Sequence, residues 1–265
     1  MKGTWTNAGS FVMLTLIVVV IGLASCSNGS TELRHAHVPG AKATCAAPQT
    51  CTVCGEILSS ALGHNWDWVT YESGDGARKC QRTNGCTSKA GIGDIGPKGG
   101  IIFYAAEYDF YIGTTVGDNT TKPRYYLEAA PDTISKQGWA TKVVTIPGLS
   151  SNNDYSDWGI GMGKKNTALI IANGFDNKYD TPAASACRDL GDDWFLPSKE
   201  ELDMVYAARD VLSIPETESS GDVPFRIWSS SQWYDQGAYY VYFDSGIEDI
   251  YAKDIPINVH AVRAF

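Results

Sequence analysis

Asp193-Trp194-Phe195-Leu196-Pro197-Ser198-Lys199-Glu200-Glu201-Leu202 decides how the second half of this chain is read. Ser198 followed three residues later by Glu201 spells a capping box, in which each side chain satisfies an amide that a first helical turn leaves unbonded. A helix therefore starts just after Pro197. Trp194 and Phe195, immediately before it, are expected in the core, because large rings dominate cores of this size.

Upstream, Pro182 to Leu190 has proline near a first turn, as a second helix would. Asn166 to Ala172 has helical composition with its apolar residues on one side. Downstream the period changes to two: Tyr239, Val241 and Phe243 alternate with Tyr240, Tyr242 and Asp244, the pattern of a strand. Asp244-Ser245-Gly246 then turns the chain into a strand through Ile250 and Tyr251, and Val259 to Phe265 makes the last one. Ile101 to Tyr104, after the turn Gly96 to Gly100, and Tyr125 to Ala129 read as short buried strands.

The glycine-rich joint at Ala90-Gly91-Ile92-Gly93 opens this domain, so it spans 91–265. At the other end of the chain Lys2 precedes a 13-residue apolar run, Phe11 to Leu23, that ends in Leu23-Ala24-Ser25-Cys26. A membrane-spanning helix needs roughly 20 such residues, so this is the pattern of a signal peptide, residues 1–25. A cysteine directly after the small pair is the position at which bacterial lipoproteins are alkylated, which marks Cys26 for lipidation. Residues 26–40 begin as a polar tether. The expectation is an exported chain held to the bacterial envelope, outer membrane or cell surface, by an N-terminal lipid.

Charge narrows the partners. The formal net charge of −9 loses Lys2 with residues 1–25, leaving −10 on the mature chain. Nucleic acid and anionic membrane surfaces would repel it.

Five cysteines crowd into a small module, residues 41–90: Cys45, Cys51, Cys54, Cys80 and Cys86. A Cys-x-x-Cys turn points two thiolates at one zinc ion, so Cys51 and Cys54 with Cys80 and Cys86, or with His64, form a candidate structural zinc site. The same residues in an exported protein are equally candidates for disulfides that staple a segment too small to hold a core. Five is an odd number, which prevents complete pairing within the module. The text Thr50 to Gly55 followed by Gly63-His64-Asn65-Trp66 resembles a cysteine-containing repeat common in bacterial surface proteins.

Six ordered motifs carry a second resemblance. They are Gly93-Asp94-Ile95-Gly96-Pro97-x-Gly99-Gly100-Ile101-Ile102-Phe103-Tyr104, Tyr126 to Pro131, Gly161-x-Gly163-Lys164-x-Asn166-Thr167, Asp193 to Leu202, Trp228 to Ser231 and Val262 to Phe265. Together they resemble the C-terminal domain of bacterial collagen-like adhesins and the related fibrobacter major-domain family, of C-type-lectin-like fold. The resemblance implies an α+β body with a small twisted antiparallel sheet, its first and last strands adjacent, flanked by helices, with loops and an exposed sheet face carrying ligand contacts. The related adhesin domain is associated with sulphated polysaccharides, which an acidic chain of pI near 4.9 would repel.

Catalysis finds little support. Ser229, Ser230 and Ser231 lack a nucleophile elbow, and His260 is the only histidine near them in sequence. Formylglycine-generating relatives of the fold need a cysteine pair, and Cys187 alone lies in this domain; on an apolar helical face it is expected to be a buried hydrophobe. The Glu-Pro-Asn, Gln-Pro-Asp and Trp-Asn-Asp signatures of calcium-dependent lectins do not occur, while Asn152, Asn153, Asp154 and Asp157 are expected to make turns. The expected function is a non-catalytic adhesin or recognition module for a glycan or a host or surface protein. The expected contacts are Trp233, Tyr234, Tyr240 and Tyr242, chosen because alternation turns half of the aromatics inward. The alternatives are a structural envelope lipoprotein without a soluble ligand and, third, an enzyme of the formylglycine-generating fold group.

Overall fold

The capping box closes in both directions. Ser198 N donates to Glu201 Oε2 at 2.7 Å and Glu201 N to Ser198 Oγ at 3.3 Å, and α3 (Lys199–Ala207) follows. These coordinates are a computed structural model that describes residues 36–66, 80–82, 86, 90–112, 124–142, 145–150, 154–173 and 180–265. Cys26 and the apolar run before it lie outside the described residues. Among the described residues no helix is long and apolar enough to cross a membrane.

The described residues divide into two compact units, one falling within 1–65 and 81–86 and one within 66–80 and 87–265. In the smaller unit β1 (Gln49–Thr50) pairs antiparallel with β2 (Ile57–Ser59). The turn between them runs through Cys51 to Gly55, where Gly55 has φ +76°, a conformation that L side chains rarely adopt. Gly55 N donates to Cys51 O at 2.9 Å, Cys51 N donates to Glu56 O at 2.8 Å, and Cys45 and Cys51 are buried.

The larger unit is a mixed α+β body. β3 (Ile101–Phe110), β4 (Arg124–Ala129) and β10 (Val262–Ala264) form a three-stranded sheet in the order β10-β4-β3. A five-stranded sheet runs β5-β9-β6-β7-β8, from β5 (Ile134–Gln137), β6 (Arg226–Trp233), β7 (Gly237–Tyr242), β8 (Glu248–Ala252) and β9 (Ile257–Val259). Its pairs are antiparallel except β6 with β9, which is parallel at Ile227 and Asn258. The expected adjacency of first and last strands is corrected: β4 lies between β3 and β10, because Val262 to Ala264 pair with Ala129 to Leu127.

Both faces of the larger sheet are covered. Ala238 and Tyr240 of β7 and Trp228 of β6 join Ile170 of α1 (Gly163–Asn173) and Ala183, Ala184 and Cys187 of α2 (Pro182–Asp189) in one core cluster. Val241 of β7, Phe243 just beyond it and Ile227 of β6 join Leu202 and Val205 of α3 in a second. Pleating sends successive side chains to opposite faces, so a strand between two cores buries both sets. The buried indoles keep their donors satisfied: Trp139 Nε1 donates to Ser229 O at 2.8 Å and Trp228 Nε1 to Gln137 O at 2.9 Å.

Candidate functional site

Tyr234 occupies the turn between β6 and β7 with φ +52°, a left-handed backbone that costs a non-glycine residue roughly 1–2 kcal/mol. The surroundings hold it there. Lys253 Nζ donates to Tyr234 O at 3.0 Å and to Gln232 Oε1 at 3.2 Å, and lies 4.6 Å from the centroid of the Trp139 ring. Burial lowers the Lys253 amine to about 8, opposed by the nearby Asp235 carboxylate. The turn thus raises two rings, Trp233 half-buried and Tyr234 41% exposed, which meet edge to face at 5.2 Å.

From Trp233 a row of rings continues. Tyr239 lies 5.8 Å from Trp233, Trp158 lies 4.8 Å from Tyr239, and Tyr155, 59% exposed, lies 4.5 Å from Trp158. Each contact is edge to face, the geometry that the charge distribution of aromatic rings prefers. Lys199, the first residue of α3, sits 4.9 Å from the Trp158 ring and 5.8 Å from the Tyr239 ring, and pairs with Glu248. Beside that pair, burial raises Asp203 to about 7, helped by the charge of Glu248 and by a hydrogen bond to it. Five rings therefore form a platform bordered by an amine and two carboxyl groups.

Of the four residues expected to contact ligand, Trp233 and Tyr234 lie on this platform. Tyr240 is corrected: it is 1% exposed, and its ring contacts Trp228, Tyr242 and Tyr251 on the helix-covered face. Tyr242 is half-buried against that same cluster. Tyr155 and Trp158 were not expected. They lie about eighty residues before Trp233, and a loop aromatic carries no local signal of its eventual neighbours.

Several other candidates belong to the framework. Ser229 Oγ donates to Tyr239 O at 2.9 Å, Ser230 Oγ accepts from Asn166 Nδ2 at 3.1 Å, and Ser231 Oγ accepts from Lys199 N at 3.2 Å, all three serines being buried. Asp157 accepts from Ser150 N at 2.6 Å and from the Ser150 hydroxyl, fixing its loop; Asn152 and Asn153 lie outside the described residues. His260 is buried with Nδ1 2.9 Å from Thr133 Oγ1. Cys187 is fully buried on α2, and burial drives its thiol far above the ordinary range.

Of the cysteines expected as one set, Cys51 and Cys54 stand apart from Cys86. Cys51 and Cys54 gather with His37. Cys86 gathers with Cys45 and His64. Cys80 is buried and bridges Trp66.

No family model matches the chain, and no curated protein matches it in sequence. Among solved structures it is similar to a fimbrial protein from Bacteroides ovatus ATCC 8483, with a TM-score of 0.45 and 12% identity over 68% of this chain and 47% of that one. The chain thus spans about half the length of that protein.

Proposed function

We propose that the platform of Tyr155, Trp158, Tyr239, Trp233 and Tyr234 binds carbohydrate, and that the chain is a non-catalytic recognition module of the bacterial surface, exported and held by a lipid on Cys26. The observation that carries this reading is the unbroken row of ring contacts ending in two exposed tyrosines. An aromatic face offers apolar area to the C–H face of a sugar ring, while Lys199, Glu248 and Asp203 at its border suit the surrounding hydroxyls. The net charge, −10 once residues 1–25 are removed, favours neutral glycans over sulphated ones. The resemblance to C-type-lectin-like adhesin domains supports a recognition role, while the charge argues against the sulphated ligands associated with them.

Paired arrays of glycans and of surface proteins, probed with the detergent-solubilised chain, test this reading. Binding to a neutral oligosaccharide that Trp158→Ala abolishes is the expected result. Signal confined to immobilised surface proteins would move the platform to a protein ligand, and absence of any signal would favour a structural envelope role.

A further inference from the structure

The smaller unit brings together groups that the recognition reading does not use. His37, Cys51 and Cys54 present ligand atoms within 4.8 Å of one another, with Cys54 Sγ 3.6 Å from His37 Nδ1. Cys45, His64 and Cys86 do the same, with Cys86 Sγ 3.4 Å from His64 Nδ1. We propose that this unit carries two separate zinc centres, one on His37, Cys51 and Cys54 and the other on Cys45, His64 and Cys86.

Distance supports it first. Zinc bonds of about 2.3 Å to sulfur and about 2.0 Å to nitrogen, set at a tetrahedral angle, hold the two ligand atoms about 3.5 Å apart. The sulfur–nitrogen separations of 3.6 Å and 3.4 Å bracket that value. A hydrogen bond from a thiol also spans such a distance, but it joins two groups, whereas each centre gathers more than two.

The surroundings of the first centre supply an independent argument. His37 turns Nδ1 toward Cys54 and Nε2 toward Glu56 Oε2, 3.5 Å away, with the imidazole largely buried. A carboxylate on the far nitrogen fixes the ring and makes the near nitrogen a better donor to metal, the usual support of a ligating histidine. Val53 N donates to Cys51 Sγ at 3.4 Å, which fixes that sulfur within the turn. The positive φ of Gly55 lets the turn reverse directly after Cys54.

Thiolate and imidazole together suit zinc rather than calcium or magnesium, which take oxygen ligands. Each cysteine releases its thiol proton to solvent as it binds. At the first centre Cys54 is exposed, so the fourth position faces water.

The test is metal content of the full chain, purified with a phosphine reductant and no chelator. Elemental analysis should find about two zinc ions per chain, and Cys54→Ser or Cys86→Ser should each leave about one. No zinc in that preparation overturns the proposal, as does recovery of the same cysteines as disulfide pairs in a preparation made without reductant; one ion in the unsubstituted chain overturns the two-centre arrangement. Should the cysteine variants fail to fold, Glu56→Gln keeps every ligand. Chelator titration should then show two phases of zinc release with one weakened about 10–100-fold. An unshifted profile removes the first centre.

Discussion

Arg263 Nη1 donates to Glu128 Oε2 at 2.8 Å across a rung where the two residues face each other on β10 and β4. Both side chains are buried. The other carboxylate oxygen of Glu128 accepts from Gly100 N at 2.7 Å and Lys98 N at 3.1 Å. One carboxylate thereby ties the end of the chain to the turn that opens β3. Gly100 is required there, since a Cβ would stand 2.1 Å from Ala129 O.

Arg263→Met leaves the Glu128 charge buried without its cation. Removing one member of a buried ion pair costs about 3–5 kcal/mol, because desolvation is no longer offset. Urea unfolding should show a loss of that size, and Arg263→Met with Glu128→Gln should lose less than the single variants added together. A loss under about 1 kcal/mol would mean that the pair sits in far wetter surroundings.

His260 makes stability depend on acid. Burial holds its imidazole down at about 4, against an ordinary 6.5, with Ala130 and the Asp132 charge opposing. The unfolded chain binds the proton more readily between those values, so the contribution is complete above pH 6.5 and is lost as pH falls to 4. Glu201 runs the other way. Burial lifts its carboxyl to about 7 against amide donors from Ser198, Gly161 and Gly163, so its contribution is present at low pH and lost as pH rises to 7. The difference between wild type and His260→Gln isolates the histidine: it should shrink by about 3 kcal/mol from pH 7 to pH 4. A difference independent of pH would place His260 in contact with solvent.

Cys187 should resist a water-soluble maleimide in the native protein and react only on unfolding, since the thiolate is the nucleophile and burial suppresses it. Cys187→Ser should destabilise by about 1–3 kcal/mol by burying a hydroxyl among apolar groups. Rapid labelling of native protein would contradict this packing.

These residues show which signals a sequence carries. The cap at Ser198 and Glu201 was legible because its partners stand three residues apart, and α1, α2, β3, β4, β7 and β8 follow from local period. β5 and β9 are four and three residues long, and β9 meets β6 in parallel at one rung, so their pairing is set by distant contacts. Alternation in β7 was correctly read, but with a core on each face it could not tell which tyrosine reaches solvent. Spacing marked Cys51 and Cys54, whereas the approach of His37 to them depends on how the chain folds back at Pro39, which bridges Cys51.

Cys26 lies outside the described residues, and its lipid is tested by chemistry. Growth with a clickable fatty acid should label the chain and send it to the membrane fraction, while Cys26→Ala should be unlabelled. Label retained by that variant would refute the lipobox.

The most direct test of carbohydrate recognition is calorimetric titration of wild type, Trp158→Ala, Tyr234→Ala and Tyr242→Phe with the best oligosaccharide from the array. Losing a ring that stacks on ligand typically costs more than 1 kcal/mol, so Trp158→Ala and Tyr234→Ala should each weaken binding about tenfold. Tyr242→Phe, which leaves the platform intact, should bind as wild type does. Equal affinity in all four proteins would contradict the platform as the binding site.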